Sequence, residues 1–171
     1  MSLLHSSFLI LPKTLHVNFI KEKFMKLFHV CAVIISALLL AGCGGKVKEN
    51  PKYNYITADE TAKLMREAPA KIVLVDIQEK ADFTEEHLKG AISTYAYPVK
   101  TEEEKARLAA LLPEIKPDQK VIIVCPRGGG GADRAYDFYL SKGIKKENLV
   151  TLKDGQYGWP RDRIKDVIEQ Q

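Results

Sequence analysis

One cysteine stands where chemistry is expected. The β-branched run Val121-Ile122-Ile123-Val124 leads into Cys125-Pro126-Arg127, four consecutive glycines and a helix-like segment from Ala132 to Leu140. In an α/β fold, ligands bind beyond the carboxyl ends of strands. Glycine has no Cβ to block its amide, so Gly128, Gly129, Gly130 and Gly131 can curl their N–H groups around an anion. The following helix would add the positive end of its dipole. Together these features are expected to stabilise a thiolate, the reactive form of cysteine. A buried core cysteine before a flexible turn is the plainer alternative. The glycine run counts against it, because each glycine costs about 0.5–1 kcal/mol in backbone entropy. Gly129 and Gly130 are expected at φ > 0, where a β-branched replacement would turn an amide away.

Spacing separates this loop from other glycine-rich loops. A P-loop needs Lys-Ser/Thr after its last glycine, and Ala132-Asp133 stand there. A dinucleotide fingerprint counted from Gly128 and Gly130 would put its third glycine at Asp133. Phosphatases that use cysteine carry an arginine six positions on, where this chain has Gly131; Arg134 lies three residues too far. No Cys-x-x-Cys pair exists. What remains is a lone thiolate in a cradle of amides, with Arg127 as the one nearby cation.

Four segments then resemble the rhodanese family of sulfurtransferases. They are the Cys125 loop, Leu74-Val75-Asp76-Ile77-Gln78, Glu86-His87-Leu88-Lys89-Gly90-Ala91-Ile92, and Leu152-Lys153-Asp154-Gly155 with Trp159. They are similar to that family's active-site loop, Asp-Val-Arg strand end, Gly-His-Ile-Pro-Gly-Ala-Ile motif and closing Leu-x-Gly-Gly with Trp. Order and spacing fit over about Tyr55 to Gln171. Three departures stand out. Gln78 replaces the usual arginine, so its ion pair near Asp76 is lost or rebuilt elsewhere. Glu86 and Lys89 replace a glycine and a proline, which should mainly alter a turn. Pro126 and the glycine run replace hydroxyl donors.

The resemblance implies a thiosulfate sulfurtransferase-like enzyme. Cys125 would take sulfane sulfur from a small-molecule donor as a persulfide and pass it to a thiophilic acceptor. Pro126 and Gly128 to Gly131 would hold the anion, and Arg127 would attract a dianionic donor. Asp76 and His87 are supporting residues at most: Asp76 as a structural carboxylate bonding loop amides, His87 chiefly as the organiser of a turn. Trp159 is expected to pack near the site rim, and Arg134 to face solvent or pair with Asp133 or Asp137. No metal or organic cofactor is implied. The alternatives are a lipid-anchored binding or sulfur-relay module with little turnover and, more weakly, a phosphatase or arsenate reductase of related fold.

The front of the chain bears on location. Met25-Lys26-Leu27 forms a charged head before the apolar run Phe28 to Leu40, and Leu40-Ala41-Gly42-Cys43 reads as a bacterial lipobox. An apolar stretch of about 14 residues is too short to span a membrane and suits a signal peptide. Residues 25–42 are therefore read as a lipoprotein signal peptide and 43–54 as a tether lipidated at Cys43. Residues 55–171 form the folded domain. Residues 1–24 read as a mis-assigned start or an extended n-region. The expected location is the bacterial cell envelope, anchored through lipid on Cys43. Gly44 after that cysteine favours the periplasmic face of an outer membrane. Cys125 would then be the one free thiol of the processed chain. The net charge of +4 follows the same division: Lys13, Lys21, Lys23 and Lys26, opposed by Glu22, put +3 before Cys43. The rest carries about +1, with no basic patch to suggest nucleic acid.

Positioning Cys125 requires alternating strands and helices. Thr57-x-x-Glu60 and Thr101-x-x-Glu104 are capping boxes, the first opening a helix through Met65. Ile72 to Val75 and Val121 to Val124 read as strands buried on both faces. Leu149 to Leu152 reads as another, and Ala91-Ile92 leads to a short one. The helix after Cys125 should stop at Gly143. Ile164, Val167 and Ile168 suit a terminal helix. The pattern predicts one α/β domain with a mainly parallel central sheet flanked by helices on both faces.

Overall fold

Val121 and Ile123 turn to one face of a sheet, Ile122 and Val124 to the other, and all four are buried. This is the two-residue period of a strand with cover on both sides. The structure is a computed structural model that describes residues 48–170, all within one compact unit, Lys46–Gln171. The leader, the lipobox and Cys43 lie outside the described residues.

In chain order the elements are β1 (Tyr55–Ile56), α1 (Ala58–Glu67), β2 (Ile72–Asp76), α2 (Lys80–Glu85), β3 (Glu86–Leu88), β4 (Ile92–Ser93), α3 (Glu102–Ala109), β5 (Lys120–Val124), α4 (Gly130–Ser141), β6 (Leu149–Leu152) and β7 (Ile168–Gln170). Five strands form a parallel sheet in the order β1-β6-β5-β2-β4. β3 and β7 pair antiparallel beside it. Helices cover both faces, as the alternation predicts. Val73, Val75, Val121, Ile123 and Leu149 pack against Leu108 of α3 and Ala132, Ala135, Tyr136 and Tyr139 of α4. Ile72, Leu74, Ile122, Val124, Val150 and Leu152 pack against Ala62 of α1 together with Trp159, Ile164 and Val167. Each such aliphatic side chain contributes about 1.5–3 kcal/mol on burial. The central strand β5 is thereby held rigidly, and Cys125 follows it.

Both capping boxes form as the sequence indicates. Thr57 and Thr101 accept from the backbone N–H of Glu60 and Glu104, whose carboxylates return to the cap backbone. The helix after Cys125 starts earlier than expected, at Gly130, and ends before Gly143, whose φ is +89°. The expected terminal helix does not form. Ile164 closes a turn on Pro160, and Ile168–Gln170 becomes β7, with Ile168 opposite Leu88. Lys89 explains part of the change: its backbone N–H binds Val167 O and its Nζ binds Asp166 O. These carbonyls serve neighbours across the fold rather than a helical ladder. Among the described residues no helix is long and apolar enough to cross a membrane.

Candidate active site

Three loops meet beyond the carboxyl ends of β2, β5 and β6, and Cys125 lies in the middle one. Its side chain is almost fully buried, at 2 % exposure. The backbone N–H of Gly128 donates to Cys125 Sγ at 2.9 Å. The amides of Arg127, Gly129 and Ala132 also act on the sulfur, the last from the first turn of α4. The N-terminus of that twelve-residue helix adds its positive dipole end. The cradle expected from the glycine run is therefore formed, but its effect at rest is outweighed. Burial pushes the Cys125 thiol above its ordinary range, and the amides of Gly128, Arg127, Gly129 and Ala132 only pull it part of the way back. The resting group is a thiol with its anion-binding donors already in place.

The glycines divide the work differently from the sequence expectation. Gly128, not Gly129 or Gly130, takes positive φ, at +71°. Gly129 caps α4 at φ −105°, and Gly130 is already helical. The constraint on Gly128 comes from the loop after β6: a Cβ there would sit 3.0 Å from Asp154 N and from Leu152 O. Gly131 is required for space. A Cβ would lie 2.7 Å from the ring of Tyr97, which covers this end of α4.

The Leu152-Lys153-Asp154-Gly155 segment is the buttress of the cradle. Asp154 and Gly155 both turn at positive φ, +61° and +64°. Gln156 N then donates to Cys125 O at 2.8 Å and Tyr157 N to Pro126 O at 2.9 Å. Two carbonyls of the cysteine loop are thus tied down, which leaves its amides aimed at the sulfur. Arg127 is exposed, and its guanidinium carbon stands 5.0 Å over the Tyr157 ring. The Tyr157 hydroxyl donates to Asp82 at 2.7 Å, and that bond holds its pKa above the ordinary value.

Asp76 and His87 belong to the supporting structure. Asp76 is fully buried and accepts from Gln78 N at 2.8 Å and Gln78 Nε2 at 3.1 Å. No cation stands beside it, so burial pushes its carboxyl up to about 7. Gln78 replaces an ion pair with neutral hydrogen bonds and sends Nε2 on to Glu86 O at 3.2 Å. His87 Nδ1 meets Phe83 O at 2.8 Å, and its ring stacks on Phe83. Trp159 is buried in the second core rather than at a rim, with Nε1 donating to Ile164 O. Arg134 neither faces solvent freely nor pairs with an aspartate: its Nε donates to Pro98 O at 2.9 Å. Asp137 is taken instead by Lys52 and the Tyr53 hydroxyl.

Glu86 does much more than alter a turn. Its buried carboxylate accepts from Gln156, Arg161 and Gln170. Burial disfavours that charge, yet these donors outweigh it and hold the carboxyl below its ordinary range. Sequence reasoning missed Gln156, Tyr157, Arg161 and Tyr97. The one available signal was Glu86 itself, an acidic residue standing where the resembling motif has a glycine; buried as it is, its carboxylate needs a cation. Among the described residues no three His, Cys, Asp or Glu side chains converge as a metal site would need.

The model of the rhodanese-like domain family matches residues 57–162, which include Cys125 and all three loops. No curated protein matches the sequence. Among solved structures, the full-length protein from Lactobacillus plantarum is similar at 22% identity and TM-score 0.52, covering 68% of this chain and 88% of that one. The solution NMR structure of the rhodanese-like domain of Alr3790 from Anabaena sp. gives 14% identity, TM-score 0.53, and 68% and 79% coverage. The As-Sb reductase from Leishmania major gives 18% identity, TM-score 0.51, and 68% and 84% coverage. At such identities the likeness concerns the fold alone.

Proposed function

The chain belongs to the rhodanese-like domain family, and from that membership we propose that it is a sulfurtransferase working through a persulfide on Cys125. The observation that carries this reading is the sulfur itself, set at the end of the central strand with the amides of Arg127, Gly128, Gly129 and Ala132 around it. In the first half-reaction the Cys125 thiolate attacks the outer sulfur of thiosulfate or a similar sulfane donor. A new bond forms between Sγ and that sulfur, the donor's S–S bond breaks, and its electron pair leaves with sulfite. The cradle amides hold the terminal persulfide sulfur, while Arg127 attracts the dianionic donor from the rim. A thiophilic acceptor then takes the outer sulfur and returns the thiolate, so the kinetics are ping-pong.

Because burial favours the thiol at rest, the first half-reaction speeds up as pH rises toward the thiol's raised pKa. Gly131 stands six positions after Cys125 with the Tyr97 ring against it. That arrangement supports sulfur transfer over a phosphatase or arsenate reductase, which would want an arginine's forked donors there. The test is sulfite release from thiosulfate without acceptor. We expect one sulfite per chain and none from Cys125→Ser; continuous release, or release by the serine variant, overturns the scheme. We also propose that the chain acts at the bacterial envelope, held by lipid on Cys43. Wild type should take up a fatty-acid analogue and sediment with membranes, and Cys43→Ala should not.

A further inference from the structure

We propose that Glu86 and Arg161 are positioning residues that hold the Cys125 loop in shape from behind, through the turn at Gln156 and Tyr157. The inference concerns the same site as the sulfur-transfer reading, but its test reads the thiol alone and needs no sulfur transfer.

The linkage runs through backbone and fixed forks. Arg161 Nε and Nη2 reach the two Glu86 oxygens at 2.9 and 2.5 Å, a bidentate pair. Its Nη2 also donates to Gln156 O at 3.0 Å, and its Nη1 to Tyr157 O at 3.2 Å and Trp159 O at 3.0 Å. All five guanidinium N–H groups are thereby used. Glu86 in turn accepts Gln156 Nε2 at 2.7 Å and Gln170 Nε2 at 3.0 Å. The carbonyls of Gln156 and Tyr157 are therefore drawn toward the guanidinium, while their amides are spent on Cys125 O and Pro126 O. The turn is gripped on one side and grips the cysteine loop on the other. Gly155 transmits the position without slack, since a Cβ on it would lie 2.6 Å from the amide nitrogens of both Arg127 and Gly128.

The sequence departures then make one pattern. Position 78 is a neutral glutamine, position 86 has gained a carboxylate, and the cation reaches it from Arg161, 75 positions later. Gln78 bonds both the Asp76 side chain and Glu86 O, so β3 is fixed to the end of β2 without a cation between them. A neutral fork stands beside Asp76 and a charged fork behind the cradle.

Positioning and through-space charge have opposite or unequal signatures, which makes the inference testable. Among the described residues, the other charged side chains around this arrangement include Arg127 and Asp154 by the cradle, Asp82, Glu79 and Glu85 on the Tyr157 side, and Asp76 beneath Gln78. None of them is altered. The experiment is alkylation of Cys125 by iodoacetamide across pH in the full chain, followed on the Cys125 peptide by mass spectrometry, with thermal unfolding alongside. Glu86→Gln removes a negative charge, so charge alone would lower the thiol midpoint. Loosened amides would raise it. Arg161→Lys keeps the charge and loses the fork, so charge alone leaves the midpoint unmoved. We expect both variants to raise the midpoint by about half a pH unit, roughly a threefold loss of thiolate at fixed pH. A midpoint that falls in Glu86→Gln, or is unchanged in Arg161→Lys, overturns the inference. Gln156→Met removes only one side-chain bond to Glu86 and serves where either variant fails to fold. A smaller rise supports the linkage, and no change overturns it.

Discussion

Replacing Gly155 with alanine tests whether the buttress sets the cradle. Gly155 has φ +64°, and an added Cβ would fall 2.3 Å from Cys125 O and 2.6 Å from the nitrogens of Arg127 and Gly128. All three are backbone atoms, so no flexible side chain can swing clear. The left-handed conformation alone costs an L-residue about 1–2 kcal/mol. Forcing the two loops apart adds about 1–3 kcal/mol, as overpacking does elsewhere. Gly90 supplies the matched control: its φ is +74°, yet nothing lies within 4 Å of its added Cβ. Gly90→Ala should therefore show only the conformational cost. Denaturant unfolding with an unchanged m-value gives the two stabilities, and Gly155→Ala should lose about 1–3 kcal/mol more than Gly90→Ala. Only Gly155→Ala should raise the pH midpoint of Cys125 alkylation, because its displacement pulls on Cys125 O and on two cradle amides. Equal losses in both variants, with an unaltered Cys125, would show that the turn at Gly155 does not set the cradle.

Arg127→Ala should raise KM for thiosulfate at low ionic strength, with an effect that shrinks as salt screens the exposed charge over about 10 Å at 0.1 M. Stability should change little, since an exposed cation–π contact such as that with Tyr157 is worth about 0.5–1 kcal/mol; unchanged kinetics in low salt would show that the guanidinium serves Tyr157 alone. Asp76 gives a pH dependence of stability. Its folded pKa of about 7 lies above the unfolded value, so between the two the unfolded state has lost a proton that the folded state keeps. Its contribution is full below the unfolded pKa and is lost as pH rises through 7, on the order of 2–4 kcal/mol. The difference in unfolding free energy between wild type and Asp76→Asn should fall across that window, and a pH-independent difference would contradict the assignment.

What was legible in the sequence was what is decided locally. Thr57 and Thr101 each find their glutamate within one turn, so the capping boxes are readable without the fold. The buried runs of β2 and β5 announce themselves by composition, and with them the place of Cys125. The misreadings share a different cause. Ile164, Val167 and Ile168 have helical spacing, but the segment is claimed by a partner strand and by Lys89, far back in the chain. The left-handed turn falls on Gly128 because Asp154 and Leu152 press against it, a contact no local pattern in the glycine run encodes. Glu86 looked like a turn variant because its partner Arg161 lies 75 residues away. The thiol's raised pKa, too, depends on how completely the neighbouring loops close over Cys125.

The most direct measurement of sulfur transfer through Cys125 is the mass of its peptide after the full chain has met thiosulfate. That peptide should gain one sulfur atom, lose it when cyanide is added with thiocyanate appearing in equal amount, and gain nothing in Cys125→Ser. A wild-type Cys125 peptide that stays at its original mass, under conditions where iodoacetamide still labels the thiol, would exclude a persulfide on Cys125.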